Sequence, residues 1–98
     1  MVEHGDLTFE TVDRTARLKG EILELSAREL DLLELLLTRA GRLVSKELIL
    51  DHLCQWGEEV SANAIEVYIH RLRKHLHGSG VGIVTLRGLG YVLEPDHA

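Results

Sequence analysis

Apolar and polar residues change rhythm twice along this chain. Up to Leu25 the apolar positions fall in short alternating runs, LTFETV, ARLKG and EILEL, with turn pairs at Asp13-Arg14 and Lys19-Gly20. These runs predict a small antiparallel meander, with Ile22 set on one face between Glu21 and Leu23. From Ser26 the period becomes helical. SARE is a capping box, because the Ser26 hydroxyl accepts from the backbone of Glu29 while Glu29 reaches back. Leu30, Leu33, Leu36 and Leu37 then mark a buried face, and Gly41 is the expected C-cap. Ser45 opens a second box and helix, SKELILDHL, with Leu48, Ile49 and Leu53 as its apolar side. QWGEEVS (55–61) reads as a loop. A third helix is expected from about Ala62 to His77, ended by Gly78, Gly80 and Gly82. Alternation then returns in IVTLR and YVLE, two strands joined across Gly88-Leu89-Gly90 as a hairpin.

A sheet, three helices and a hairpin define an α+β chain in the order of a winged helix-turn-helix: N-terminal antiparallel sheet, three helices, C-terminal β-hairpin wing. The loop between the second and third helices is long for the motif. At 100° per residue, Ile65, Ile69, Leu72 and Leu76 share one narrow face of the third helix, and Asn63, Val67, His70, Arg71 and Lys74 the opposite one. A helix that enters a major groove needs this division, with apolar anchors behind and donors and methyls in front. A solvated basic face on a surface helix fits the same pattern equally well.

Charge sharpens the picture. The 98 residues carry a net −5, which argues against nucleic acid until its distribution is read. Residues 1–60 hold 13 acidic and 7 basic side chains, residues 61–98 hold 3 and 4, and Glu66 is the sole acid within 62–93. DNA requires a local basic face, not a basic whole. Cys54 has no partner cysteine, no apolar run reaches membrane-spanning length, and MVEHGDL lacks a signal-peptide pattern; a cytoplasmic protein is the expectation.

IEVYIHRLRKHL (65–76) followed by IVTLRGLGYVLEP (83–95) resembles the C-terminal signature of the OmpR/PhoB family of response-regulator effector domains, through Arg71, Leu72, Arg73, Lys74, Thr85, Arg87, Gly88, Gly90 and Tyr91. LSARELDLLELLLTRAGRLVSKELILDHL is similar to the family's first two helices. The resemblance covers residues 6–95, leaving 1–5 as linker and 96–98 as tail. It implies sequence-specific binding of double-stranded promoter DNA in tandem half-sites, transcription regulation within a phosphorelay, RNA polymerase as a partner, and a receiver domain upstream of Met1. Carried over by position, it implies that Asn63 contacts DNA at the start of the recognition helix. Val67 meets a thymine methyl, and His70 and Arg71 face the groove. Tyr68, Arg73 and Lys74 suit phosphates, Thr85 touches the DNA backbone, and Arg87 enters the minor groove. Glu66 stands where the family often has aspartate, and Asn63 where some relatives have arginine. His70 replaces a frequent arginine, which makes its contact sensitive to pH.

Several features have competing readings. Trp56 is either a packing anchor or, with Gly57, Glu58 and Glu59, a loop presented to RNA polymerase. Arg73 is either a DNA contact or the partner of Glu29 or Glu34 on the first helix. Cys54 reads as a small core residue. Of His70, His75 and His77 only His70 and His77 share a helix face, two turns apart and too far for a common ion, so no metal site is expected, and Gly88 and Gly90 precede no helix and form no phosphate loop. No paired carboxylates, triad or cofactor motif points to an enzyme. A winged helix serving only as a protein-interaction platform would suit the acidic total charge but has no need of the basic groove-facing set. Nothing in the chain reads as an obligate dimer face, so the expectation off DNA is a monomer.

Overall fold

The computed structural model describes residues 1–54 and 60–95. Four strands, β1 (Val2–His4), β2 (Leu7–Glu10), β3 (Thr15–Leu18) and β4 (Glu21–Ile22), form an antiparallel sheet in sequential order. Alternation works as expected in β2, where Leu7 and Phe9 are fully buried, and β3 adds buried Ala16. Residues 2–4, read from sequence as linker, instead pair with Leu7–Phe9 as an edge strand. Ile22 faces solvent at 59% exposure, because β4 lasts only two residues and the chain then turns Leu23 and Leu25 onto the core.

Both predicted turns use left-handed backbone at a residue other than glycine, Arg14 (φ 50°) and Lys19 (φ 52°). At Arg14 the turn has a visible role. It sets the guanidinium over the Phe9 ring, 5.7 Å from the centroid, and against Asp31 and Glu34 of the first helix. The hydrogen bond to Glu34 is the main reason that the Arg14 proton is held more tightly than usual; partial burial opposes this, and the charges of Glu34 and Asp31 reinforce it.

Helix α1 (Ala27–Thr38) starts with the expected capping box. Ser26 Oγ accepts from Glu29 N at 3.2 Å, and Glu29 Oε2 accepts from Ser26 N at 3.3 Å. Its buried surface is wider than one stripe: Leu32 and Leu35 are withdrawn along with Leu33, Leu36 and Leu37, since α1 packs against β1, α2, α3 and the C-terminal hairpin. The helix ends at Arg39, not at Gly41. Gly41 lies two residues beyond, at φ 80°, and donates its N–H to Leu93 O at 2.8 Å.

Two residues, Val44–Ser45, form β5, and α2 (Lys46–Leu53) follows. Ser45 Oγ accepts from Leu48 N at 3.1 Å. The cap runs one way only, because position N3 is Leu48 and no carboxylate returns, so the second capping box is corrected to a simple cap. Arg28 donates to the last carbonyl of α2, Leu53 O, at 2.9 Å. Cys54 is the half-buried C-cap of α2, not a core residue.

Helix α3 (Ala62–Leu76) is capped by Ser61 and ends one residue short of His77. Buried Ser79 joins it to the wing: its hydroxyl donates to Leu76 O at 2.6 Å and accepts from Val81 N at 3.1 Å. Strands β6 (Val81–Leu86) and β7 (Gly90–Pro95) form the hairpin, paired from Val81↔Pro95 to Leu86↔Gly90. β5 adds to the far edge of β7, so the second sheet has the order β5-β7-β6.

Candidate nucleic-acid interface

The apolar stripe of α3 behaves as its spacing demands. Ile65, Ile69, Leu72 and Leu76 are all at most 2% exposed, and at roughly 1.5–3 kcal/mol each they seat the helix firmly. The opposite face stands free: Asn63, Val67, His70, Arg71 and Lys74 are exposed. Val67 is an apolar side chain left 46% exposed among polar neighbours. Tyr68 lies toward the seated side. It is half-buried against the core and lines a hollow with Arg28, Cys54, Val60, Ser61 and Ala64.

The two arginines of the RLR run have distinct surroundings. Arg71 Nη1 lies 3.7 Å from Glu29 Oε1; the Arg71 side chain keeps 57% exposure while that of Glu29 keeps 6%. Glu29 therefore has two tasks, capping α1 with one oxygen and steadying a recognition-face arginine with the other. Arg73 pairs with no acid of α1. Its Nε and Nη2 donate to Ile83 O at 3.0 and 2.9 Å, and Nη2 also donates to Thr85 Oγ1 at 2.6 Å. The expected ion pair thus belongs to Arg71, and Glu34 is taken by Arg14. Arg73 is a brace from α3 to the wing, and it fixes the angle between the two elements.

Thr85 turns toward that brace, while its cross-strand neighbour Tyr91 is 4% exposed beneath the hairpin. The wing tip is the three-residue connection Arg87-Gly88-Leu89, closed by Leu89 N donating to Leu86 O at 2.9 Å. Arg87 is exposed there, and Gly88 takes φ 74°. Just past the tip, Gly90 (φ 150°) lies so near β5 that a Cβ would fall 2.1 Å from Val44 O. Ser45, which pairs with Gly90, is also the N-cap of α2. The tip-proximal end of β7 and the start of α2 are therefore one structure. Lys46, the next residue, lies 3.8 Å from Glu66 of α3.

Sequence reasoning missed three contributors to this surface. Glu29 is legible as a cap and as a candidate partner of Arg73 but not of Arg71, β5 is too short for any periodicity, and His77 reads as a helix terminus and a rejected metal ligand but not as part of the recognition surface. His77 shares a shallow cleft with His70, Arg73 and Lys74. Trp56, Gly57, Glu58 and Glu59, expected as an anchor or a polymerase-facing loop, lie outside the described residues.

Residues 20–93 match the family model for the C-terminal domain of transcriptional regulatory proteins. The transcriptional regulatory protein QseB of Escherichia coli O157:H7 is 45% identical over 92 residues, covering 94% of this chain and 41% of QseB. The chain thus spans about two fifths of the length of that regulator. Among solved structures, the DNA-binding domain of Escherichia coli CpxR superposes with a TM-score of 0.82 at 30% identity, over 96% of this chain and 95% of that one. The Klebsiella pneumoniae RstA DNA-binding domain, solved in complex with the RstA box, gives 0.80 at 32%, over 97% of each. These relatives share the fold of this chain, and the chain belongs to the OmpR/PhoB-type family of response-regulator C-terminal domains, winged-helix DNA-binding modules that are not enzymes.

Proposed function

We propose that this domain binds double-stranded promoter DNA sequence-specifically, with α3 in the major groove and Arg87 in the minor groove, as the output of a two-component response regulator in the cytoplasm. The observation that carries this reading is the free face of α3, with Asn63, Val67, His70, Arg71 and Lys74 exposed beside a wing held by Arg73. Val67 offers a methyl surface to thymine, Arg71 a donor fork to guanine, and Lys74, Arg73, Tyr68 and Thr85 contacts to the phosphate backbone. An arginine at a hairpin tip reads the width and potential of the minor groove rather than a base code. In the intact protein a receiver domain precedes this module, and RNA polymerase is met through the segment around Trp56–Glu59.

The direct test compares Arg71→Ala with Lys19→Ala. Lys19 is an exposed cation on the N-terminal sheet, remote in sequence and element from α3. Loss of a bidentate base contact costs about 1–3 kcal/mol, so Arg71→Ala is expected to weaken specific binding by that amount in an anisotropy titration while Lys19→Ala leaves it unchanged. Equal affinities would remove α3 from the groove.

Oligomeric state gives a second expectation. The apolar stripe of α3 is spent on the core and its free face is polar apart from Val67, so the isolated domain sediments as a monomer and pairs only on DNA. Its footprint then covers two tandem half-sites about 10–11 bp apart. A stable dimer without DNA, or protection of one half-site alone, contradicts this.

A further inference from the structure

His70, Arg73 and Lys74 share one side of α3 at i, i+3 and i+4, and His77, the residue that caps its C-terminus, joins them in lining a shallow cleft of about 370 Å³. From His70 to the helix end the cleft runs about 9 Å at 1.5 Å per residue, enough to follow a strand of backbone rather than grip a single point. Its middle is set in advance, because the Arg73 guanidinium is held by Ile83 O and Thr85 Oγ1. Its two ends are imidazoles, both on exposed residues. We infer that this cleft is a proton-linked seat for a DNA phosphodiester strand, in which His70 and His77 bind the backbone as imidazolium ions and make affinity fall as pH rises. The inference rests on the DNA-binding reading above and adds a regulation of that surface.

The surroundings leave phosphate as the anion that answers these cations. On α1, Glu29 is engaged by Arg71. Glu66 lies one turn before His70 on α3 and is met by Lys46 of α2 at 3.8 Å. β6 offers the Ile83 carbonyl and the Thr85 hydroxyl, which do not titrate. On β7, Glu94 stands opposite Gly82, and the wing tip adds Arg87. Among the described residues no carboxylate pairs with the side chains of His70, Lys74 or His77. A phosphodiester is anionic at every pH of interest, so its arrival favours the charged imidazole, and binding takes up protons. The sign follows: histidine changes charge between pH 5 and 8, and a complex that holds more protons than its free components tightens as pH falls.

Phosphate contacts are independent of sequence, so the probe is a fluorescent mixed-sequence duplex of roughly two helical turns, about 21 bp. Affinity is measured at pH 6, 7 and 8 over a salt series for the unaltered domain, His70→Gln, His77→Gln and the double variant. Glutamine keeps a donor and removes the titration. The unaltered domain is expected to bind roughly five- to twenty-fold tighter at pH 6 than at pH 8. Its logarithmic salt slope should be steeper at pH 6 by about one to two units. Each single variant should lose part of both effects and the double variant nearly all of them. Salt-sensitive binding that ignores pH overturns the inference and leaves DNA binding standing, as does a double variant that keeps the full pH response. Absence of salt-sensitive binding at every pH overturns the DNA-binding reading, and the inference with it.

Discussion

Gly90→Ala is expected to destabilise the domain by roughly 2–6 kcal/mol, overpacking and backbone strain contributing about 1–3 each. The added Cβ would fall 2.1 Å from Val44 O and 2.9 Å from Ser45 Cα. Both are backbone atoms of β5, so no side-chain rotation relieves the clash. The strand must leave β7, and with it goes the pairing that holds the N-cap of α2 in place. Gly88→Ala provides the comparison. Gly88 also has positive φ, 74°, but nothing lies within 4 Å of its Cβ position, so only the left-handed penalty of about 1–2 kcal/mol applies. Urea denaturation of both variants decides the matter. Equal losses would mean that the approach of β5 to Gly90 contributes nothing to stability.

Leu72→Ala is the second large effect, and it separates folding from recognition. Leu72 is fully buried between Arg71 and Arg73 in sequence. Truncating a buried leucine costs about 2–5 kcal/mol, from lost transfer energy and the cavity left behind. A domain of this size has only about 5–15 kcal/mol in total, and each kcal/mol is worth about 4–8 °C in Tm. The variant should therefore melt at least about 10 °C lower while its folded fraction, assayed cold, binds DNA within about twofold of the original. Arg71→Ala should do the reverse. Its contact to Glu29 is long, 3.7 Å, and made by a mostly exposed arginine, so it is weak, and Glu29 keeps its capping hydrogen bonds. A Leu72→Ala domain with unchanged Tm would contradict the seating of α3.

The residues that announced themselves in the sequence are those whose role depends on near neighbours in the chain. The cap at Ser26 and Glu29, the stripe of Ile65, Ile69, Leu72 and Leu76, and the turns at Arg14 and Lys19 are local, and each is where its pattern puts it. Roles set across elements were out of reach. The angle of Arg71 and Arg73 on the helix was computable, but which carboxylate or carbonyl stood opposite each was not. For Arg73 a backbone carbonyl, Ile83 O, stands where a carboxylate was one of the two expected partners. β1 and β5 have three and two residues, too few for a period of two to show, and each exists only because a longer strand offers it an edge. The width of the buried surface on α1 was likewise a property of its neighbours. Val67 and Asn63 are exposed on α3 as their angles require, yet their partners would belong to another molecule.

The hairpin divides at Gly90 into parts with opposite freedom to change. Below it, Val81, Ile83, Tyr91 and Leu93 are held by the core, Thr85 by the Arg73 brace and Gly90 by β5. Above it, Arg87, Gly88 and Leu89 are exposed, and the one contact within the tip is its own closing hydrogen bond. Substitution and insertion can therefore accumulate in those three positions without disturbing the fold, since exposed loop tips tolerate both. Two paralogues that share α3 residue for residue can diverge in promoter preference through the tip alone, reading one core sequence with different flanks. Lineages of such domains would then acquire new targets first at the wing, while the helix changes later and under tighter constraint.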